Sequence, residues 1–143
     1  MKEKVVLTYK DLEGHLSEEI IWVVKIDDNS YKVDNIPFYA PNLAMGDIIS
    51  VENDQGVLYF DDLIETSGHS TIQIIFFDSK QSEKVINKLE QLGCQWEDMK
   101  GQPYFAVDVP SDIDYNRIKI FLDIQFKNQV LDYKEACLSE NHN

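Results

Sequence analysis

The sequence predicts an α+β fold in two units: an N-terminal strand-rich bent sheet or partial barrel over residues 1–66, and a C-terminal β-α-β-β-α-β unit over residues 67–138. Three observations carry the prediction. The first unit holds five short runs rich in β-branched and aromatic residues, closely spaced and separated by turn-forming residues. Helical periodicity first appears beyond residue 78, where Val85, Ile86, Leu89 and Leu92 recur on one face. At 143 residues and 43% hydrophobic content, the chain has material for one core or two small fused ones.

Strands are expected at residues 4–9, 18–26, 31–34, 48–52 and 57–64. The intervening turns are set by Gly14, by Asp27-Asp28-Asn29-Ser30, by Met45-Gly46-Asp47 and by Asn53-Asp54-Gln55-Gly56. Pro37 and Pro41 rule out a central strand between them, so residues 35–41 are expected to cross the unit in extended form, burying Phe38 or Tyr39. A strand at 70–77 then leads to a helix capped by Asp78 or Ser79 and ended by Gly93. Residues 94–99 and 103–109 alternate as a hairpin. Pro110-Ser111-Asp112 opens a second helix carrying Ile113, Ile118, Phe121 and Leu122, and a strand at 129–138 precedes the polar tail 139–143. This order is the split, ferredoxin-like pattern.

Composition limits the function classes. The chain has 26 acids against 13 bases, a formal charge of -13, and residues 1–66 are the more acidic part, with 14 acids and 5 bases. Such a surface repels phosphate backbones and anionic lipid and steers basic partners toward it, so a protein partner with a basic surface is expected, and direct nucleic-acid or membrane binding is not. Arg117 is the one arginine, which leaves little material for a guanidinium clamp on phosphate. The charged start followed by Thr8 and Tyr9 does not read as a signal peptide, and the longest apolar runs, such as Ile20-Ile21-Trp22-Val23-Val24, fall far short of the roughly 20 residues that span a bilayer. A cytoplasmic protein with Cys94 and Cys137 as free thiols is expected.

Ser67-Gly68-His69-Ser70-Thr71 is the local string with most chemical potential, a histidine beside hydroxyls at the start of a strand. Neighbours on a strand face opposite ways, however, so the string reads more readily as a junction turn in which Gly68 bends the chain, the hydroxyls bond the backbone and His69 ties the two halves together. His15, His69 and His142 have no close histidine or cysteine partner, the Asp- and Asn-rich turns do not match a calcium loop, and the six glycines are dispersed. No metal, cofactor or catalytic residue is expected.

The strings Tyr31-Lys32-Val33-Asp34-Asn35-Ile36-Pro37-Phe38, Leu43-Ala44-Met45-Gly46-Asp47, Glu65-Thr66-Ser67-Gly68-His69-Ser70-Thr71 and Leu131-Asp132-Tyr133-Lys134-Glu135-Ala136-Cys137-Leu138 together resemble the bacterial family called domain of unknown function 4265. The resemblance covers nearly the whole chain. It implies a bacterial origin and a structural signature at those strings, and it carries no mechanism. By analogy with other small acidic bacterial proteins, the leading expectation is a protein-binding module of the immunity or antitoxin type, with Asp27, Asp28, Asp54, Asp61 and Asp62 covering a basic, nuclease-like toxin. The alternative is a small-ligand-sensing regulatory domain with its site at Ser67, Gly68 and His69. A third reading is a hydrolase or transferase centred on His69 with Ser70.

Overall fold

Alternation along the first strand organises the first half of the molecule. In β1 (Lys2–Lys10), Val5 and Leu7 are buried while Lys4 and Thr8 on the other face are exposed. β2 (Leu16–Asp27) buries Ile21 and Val23 in the same way. In the computed structural model, which describes residues 2–143, these strands continue through β3 (Ser30–Val33), β4 (Ile48–Asp54) and β5 (Val57–Glu65) into a closed barrel. β5 returns to pair in parallel with β1 at Val6 and Tyr59. The bent sheet or partial barrel read from the sequence therefore closes fully. Register shifts at Lys25/Asp27, Ile48/Ile49 and Ser50/Val51 bend the strands, and closure removes the free edges that an open sheet of this size would present.

The barrel core joins Val5, Leu7, Ile21, Val23, Tyr31, Val33 and Ile49 to Ala40 and Leu43 from the crossing between β3 and β4. That crossing buries Ile36, Ala40 and Leu43, whereas Phe38 is half-buried and Tyr39 remains 39% exposed. The expected burial of an aromatic thus goes to smaller side chains. The reason lies in Glu19, whose carboxylate accepts the backbone N–H groups of Phe38, Tyr39 and Ala40 at 2.5, 2.9 and 2.9 Å. Gathering three consecutive donors turns this segment's backbone toward the barrel, and the two rings project away from the core.

The second sheet has the order β7-β8-β6-β9, from β6 (Ser70–Phe76), β7 (Gln95–Asp98), β8 (Tyr104–Val109) and β9 (Leu131–Cys137), with each neighbouring pair antiparallel. α1 (Ser82–Gln91) links β6 to β7, and α2 (Tyr115–Lys127) links β8 to β9. Ile72, Ile74 and Phe76 on one face of β6 form a core with Val85 and Leu89 of α1 and Ile118 and Leu122 of α2. Asp78 caps a short 3-10 turn, Ser79–Gln81, ahead of α1. After α1, Gly93 adopts φ +99°, and a Cβ there would lie 2.6 Å from Ile113, so both backbone and space require glycine.

α2 starts later than Pro110-Ser111-Asp112 suggests. Ile113 N–H bonds the Pro110 carbonyl in a turn, and Asp114 is the true cap, accepting from the N–H of Asn116. No helix among the described residues is long and apolar enough to cross a membrane.

The polar tail folds back. His142 is 8% exposed, with Nδ1 2.6 Å from the Ser70 hydroxyl, Nε2 2.9 Å from the Pro110 carbonyl and its ring against Tyr115. Since Pro110 offers only an acceptor, Nε2–H donates to it, Nδ1 accepts from Ser70, and the Ser70 oxygen accepts from Ser139 N–H. His142→Ala leaves the fully buried Ser70 hydroxyl without its acceptor. It should lower stability by about 2 kcal/mol in urea unfolding; a loss under about 0.5 kcal/mol would mean the tail is not a fastener.

Candidate functional site

The chain passes between the two sheets over Thr66–His69, and buried polar groups hold the junction. Asp47, 2% exposed, accepts from Ala44 N–H at 2.9 Å within its own loop and from Ser67 N–H at 2.8 Å across the junction. The Ser67 hydroxyl donates to the Met45 carbonyl at 2.7 Å, and the Thr71 hydroxyl to the Leu43 carbonyl at 3.0 Å. Gly68 sits at φ +88°, where a Cβ would fall 2.8 Å from the Asn141 amide and 3.0 Å from Ser111. Ser67 and Thr71 therefore bind the two units together.

His69 acts within the second unit. Its Nδ1 lies 2.9 and 3.0 Å from the two oxygens of Asp108, which is 1% exposed on β8. Ser70 turns to His142 instead, so the sequence neighbours His69 and Ser70 serve separate contacts. Ser67, Gly68 and His69 line a polar pocket of about 370 Å³ with Asp47, Cys137 and Asn141. Burial pushes the Cys137 thiol up to about 11 and that of Cys94 up to about 12, so both sulfurs are protonated at neutral pH and weakly nucleophilic. Both cysteines are free, and no cluster of three or more metal-ligating side chains occurs among the described residues.

The larger cavity, about 570 Å³, opens between the barrel rim and the sheet face that the helices leave uncovered. Strand register builds its floor: Gln73 lies between Ala106 and Lys134, and Ile75 between Tyr104 and Asp132. Tyr9, Phe38 and Tyr39 line it from the barrel side, and Lys10 at the end of β1 with residues 11–13 of the β1–β2 loop rim it. The Tyr9 and Tyr39 rings stack at 11° with centroids 6.0 Å apart, and Tyr39 donates to the Met99 sulfur at 3.2 Å. Desolvation, reinforced by neighbouring acids and phenols, raises both phenols above their ordinary values, so they stay neutral hydrogen-bond donors. The Gln73 Nε2 group is buried with no hydrogen-bond partner. An unpaired buried donor costs about 1–3 kcal/mol, which singles this side chain out within the cleft.

The five acids picked out in the sequence are all exposed. Asp27 and Asp28 occupy the β2–β3 tip and Asp54 the β4–β5 tip, and the antiparallel register of β3 on β4 sends both tips to one end of the barrel. Asp62 pairs in register with Ser50, whose hydroxyl donates to Asp61. The Asn29 backbone N–H holds Asp27 below its ordinary value, and Lys25 approaches Asp28 at 3.8 Å. Because β1 and β2 are antiparallel, the loop that rims the aromatic cleft is at the opposite end of the barrel from the tips that carry Asp27, Asp28 and Asp54. Gln73 and Asp108 went unnoticed in the sequence, although each is a polar residue inside an apolar strand, Ile72-Gln73-Ile74-Ile75 and Ala106-Val107-Asp108-Val109.

These features define an α+β protein in which a five-stranded barrel and a helix-backed four-stranded sheet enclose an aromatic cleft across a buried-acid junction. The chain belongs to the family described as Domain of unknown function (DUF4265), whose pattern matches residues 19–133 and so spans both units. A crystal structure of a hypothetical protein from Neisseria gonorrhoeae is similar to it with a TM-score of 0.89 and 32% identity, over 97% of this chain and 96% of that one. No curated protein matches the sequence.

Two outcomes test the roles of the buried carboxylates. Asp47→Ala strands two buried N–H groups and should cost about 3 kcal/mol in urea unfolding at neutral pH, with Asp47→Asn recovering part of it. Burial raises the Asp108 carboxyl, with the His69 hydrogen bond opposing, so the folded chain holds this proton more tightly than the unfolded chain does. Its contribution to stability is full below the ordinary carboxyl range and is lost as pH rises through the raised value. Asp108→Asn should remove that downward slope from a pH series of unfolding midpoints; an unchanged slope contradicts the assignment.

Proposed function

We propose that the protein is a non-catalytic binding module of the ligand-sensing kind, acting in the cytoplasm, with its ligand site in the aromatic cleft rather than at Ser67, Gly68 and His69. The observation that carries this reading is the cleft's construction: a volume within the usual range for ligand sites, walls of Tyr9, Phe38, Tyr39 and Tyr104, and the Gln73 carboxamide on a floor flanked by Asp132 and Lys134. Strand order and the placement of both helices on one face support reading the second unit as ferredoxin-like, a scaffold whose uncovered face is free for recognition. Free thiols in both cysteines accord with a reducing compartment.

Ligand-observed NMR with a fragment library tests the reading. Fragments should bind the wild-type chain, shift the backbone amides of Gln73, Ile75 and Tyr104, and lose at least tenfold in affinity against Ile75→Trp, which fills the cleft. Absence of any fragment that shifts those amides contradicts it.

A second reading keeps the acidic end of the barrel as a docking surface for a basic protein partner, in the immunity or antitoxin manner. The specific observation in its favour is that β2 also exposes Ile20, Trp22 and Ile26 at 60, 44 and 52%, giving apolar anchors on the strand that ends at Asp27. Reversing Asp27, Asp28 and Asp54 to lysine should abolish capture of a basic partner from the native host without lowering thermal stability; capture unaffected by the reversal rejects it.

A further inference from the structure

Resting on the reading of the aromatic cleft as a ligand site, we infer that its ligand is an uncharged planar ring compound with an amide-type edge, a hydrogen-bond acceptor beside a donor, presented to Gln73. The flatness follows from the walls. Tyr9 and Tyr39 are nearly coplanar in orientation, at 11°, and Tyr104, 38% exposed, stands across from them on the sheet beside Ile75. Extended aromatic faces of this kind take flat rings in offset or edge-on contact better than branched aliphatic groups.

The edge follows from Gln73. Its uncharged carboxamide is held on the floor by its place in β6, an inner strand of the sheet, between Ala106 and Lys134. Its Nε2 donor is buried and without a partner, so it meets a ligand in the cleft once the carboxamide rotates about its terminal bond. A primary carboxamide has an acceptor and two donors in one plane, so the group that satisfies it on both sides is another amide-like edge. A hydrocarbon ligand would leave the donor unpaired, and rotation about the terminal side-chain bond lets either end of the carboxamide meet the ligand.

Neutrality follows from the charges around the site. Lys134 and Asp132 flank the floor with opposite signs, Lys10, Asp11 and Glu13 share the rim, and the chain as a whole carries a charge of -13. A carboxylate or phosphate on the ligand meets an unfavourable field with no arginine nearby to clamp it.

The test uses the full chain with four probes, benzamide, toluene, benzoate and cyclohexanecarboxamide, titrated by NMR while the Gln73, Ile75 and Tyr104 amides are followed. Benzamide should bind at least tenfold more tightly than toluene or benzoate, and at least threefold more tightly than cyclohexanecarboxamide. Gln73→Leu, a substitution that suits a strand and removes the unpaired donor, should reduce benzamide to the level of toluene while leaving toluene unchanged. Gln73→Glu should weaken benzamide and leave the fold intact by circular dichroism. Toluene binding as tightly as benzamide, or benzamide indifferent to Gln73→Leu, would overturn the ligand class while leaving the cleft as a ligand site. Failure of every probe and every fragment to shift those amides would overturn the site itself.

Discussion

The Asp47 carboxylate holds the two units in register. Nearly excluded from water, it accepts one N–H from its own loop, at Ala44, and one from the connecting segment, at Ser67. A buried carboxylate is tolerated only where its lone pairs are occupied, so the loop after β3 and the segment before β6 must both adopt the conformations that supply those donors. The nearby Ser67 and Thr71 hydroxyls, each donating to a carbonyl of residues 43–45, then dock the barrel on the uncovered face of the second sheet.

The cleft is a consequence of that docking. Thr71 is drawn onto the barrel, while farther along β6 the same strand face separates from it, exposing Gln73 and Ile75 to the gap. Glu19 fixes the opposite wall by gathering the N–H groups of residues 38–40, and Glu97 of β7 accepts from Ile36 N–H at 2.7 Å, bracing the same crossing from the second sheet. Charge-assisted hydrogen bonds thus hold both walls. A preorganised cavity loses less on binding than one that must be ordered by its ligand, which suits the site to compounds with few atoms.

Local patterning made most of the fold legible. Alternation in β1 and β2, the Asx- and Gly-containing turns and the stripe of α1 all depend on near neighbours, and the order of elements followed from them. Barrel closure was not legible, because it depends on register shifts between strands distant in sequence. Nor was the folding back of the tail: His142 gains its place only from Ser70, Pro110 and Tyr115, which converge from a strand, a loop and a helix. Ser67-Gly68-His69 was recognisable as a junction, but the residue that binds the units is Ser67, since the buried Asp108 draws His69 aside. The cleft assembles from five separate segments, and its one local signature was a glutamine set among isoleucines on β6.

The cleft persists only while the two units form a single body joined at Asp47. Amide hydrogen exchange of Ser67 tests that most directly, because this N–H lies in a connecting segment outside any sheet and owes its protection to the Asp47 carboxylate. Exchange should be as slow as that of the Val5 and Ile49 amides in the barrel core, whereas exchange at the rate of the exposed Gly14 or Gly101 loops would contradict the docking of the two units through Asp47.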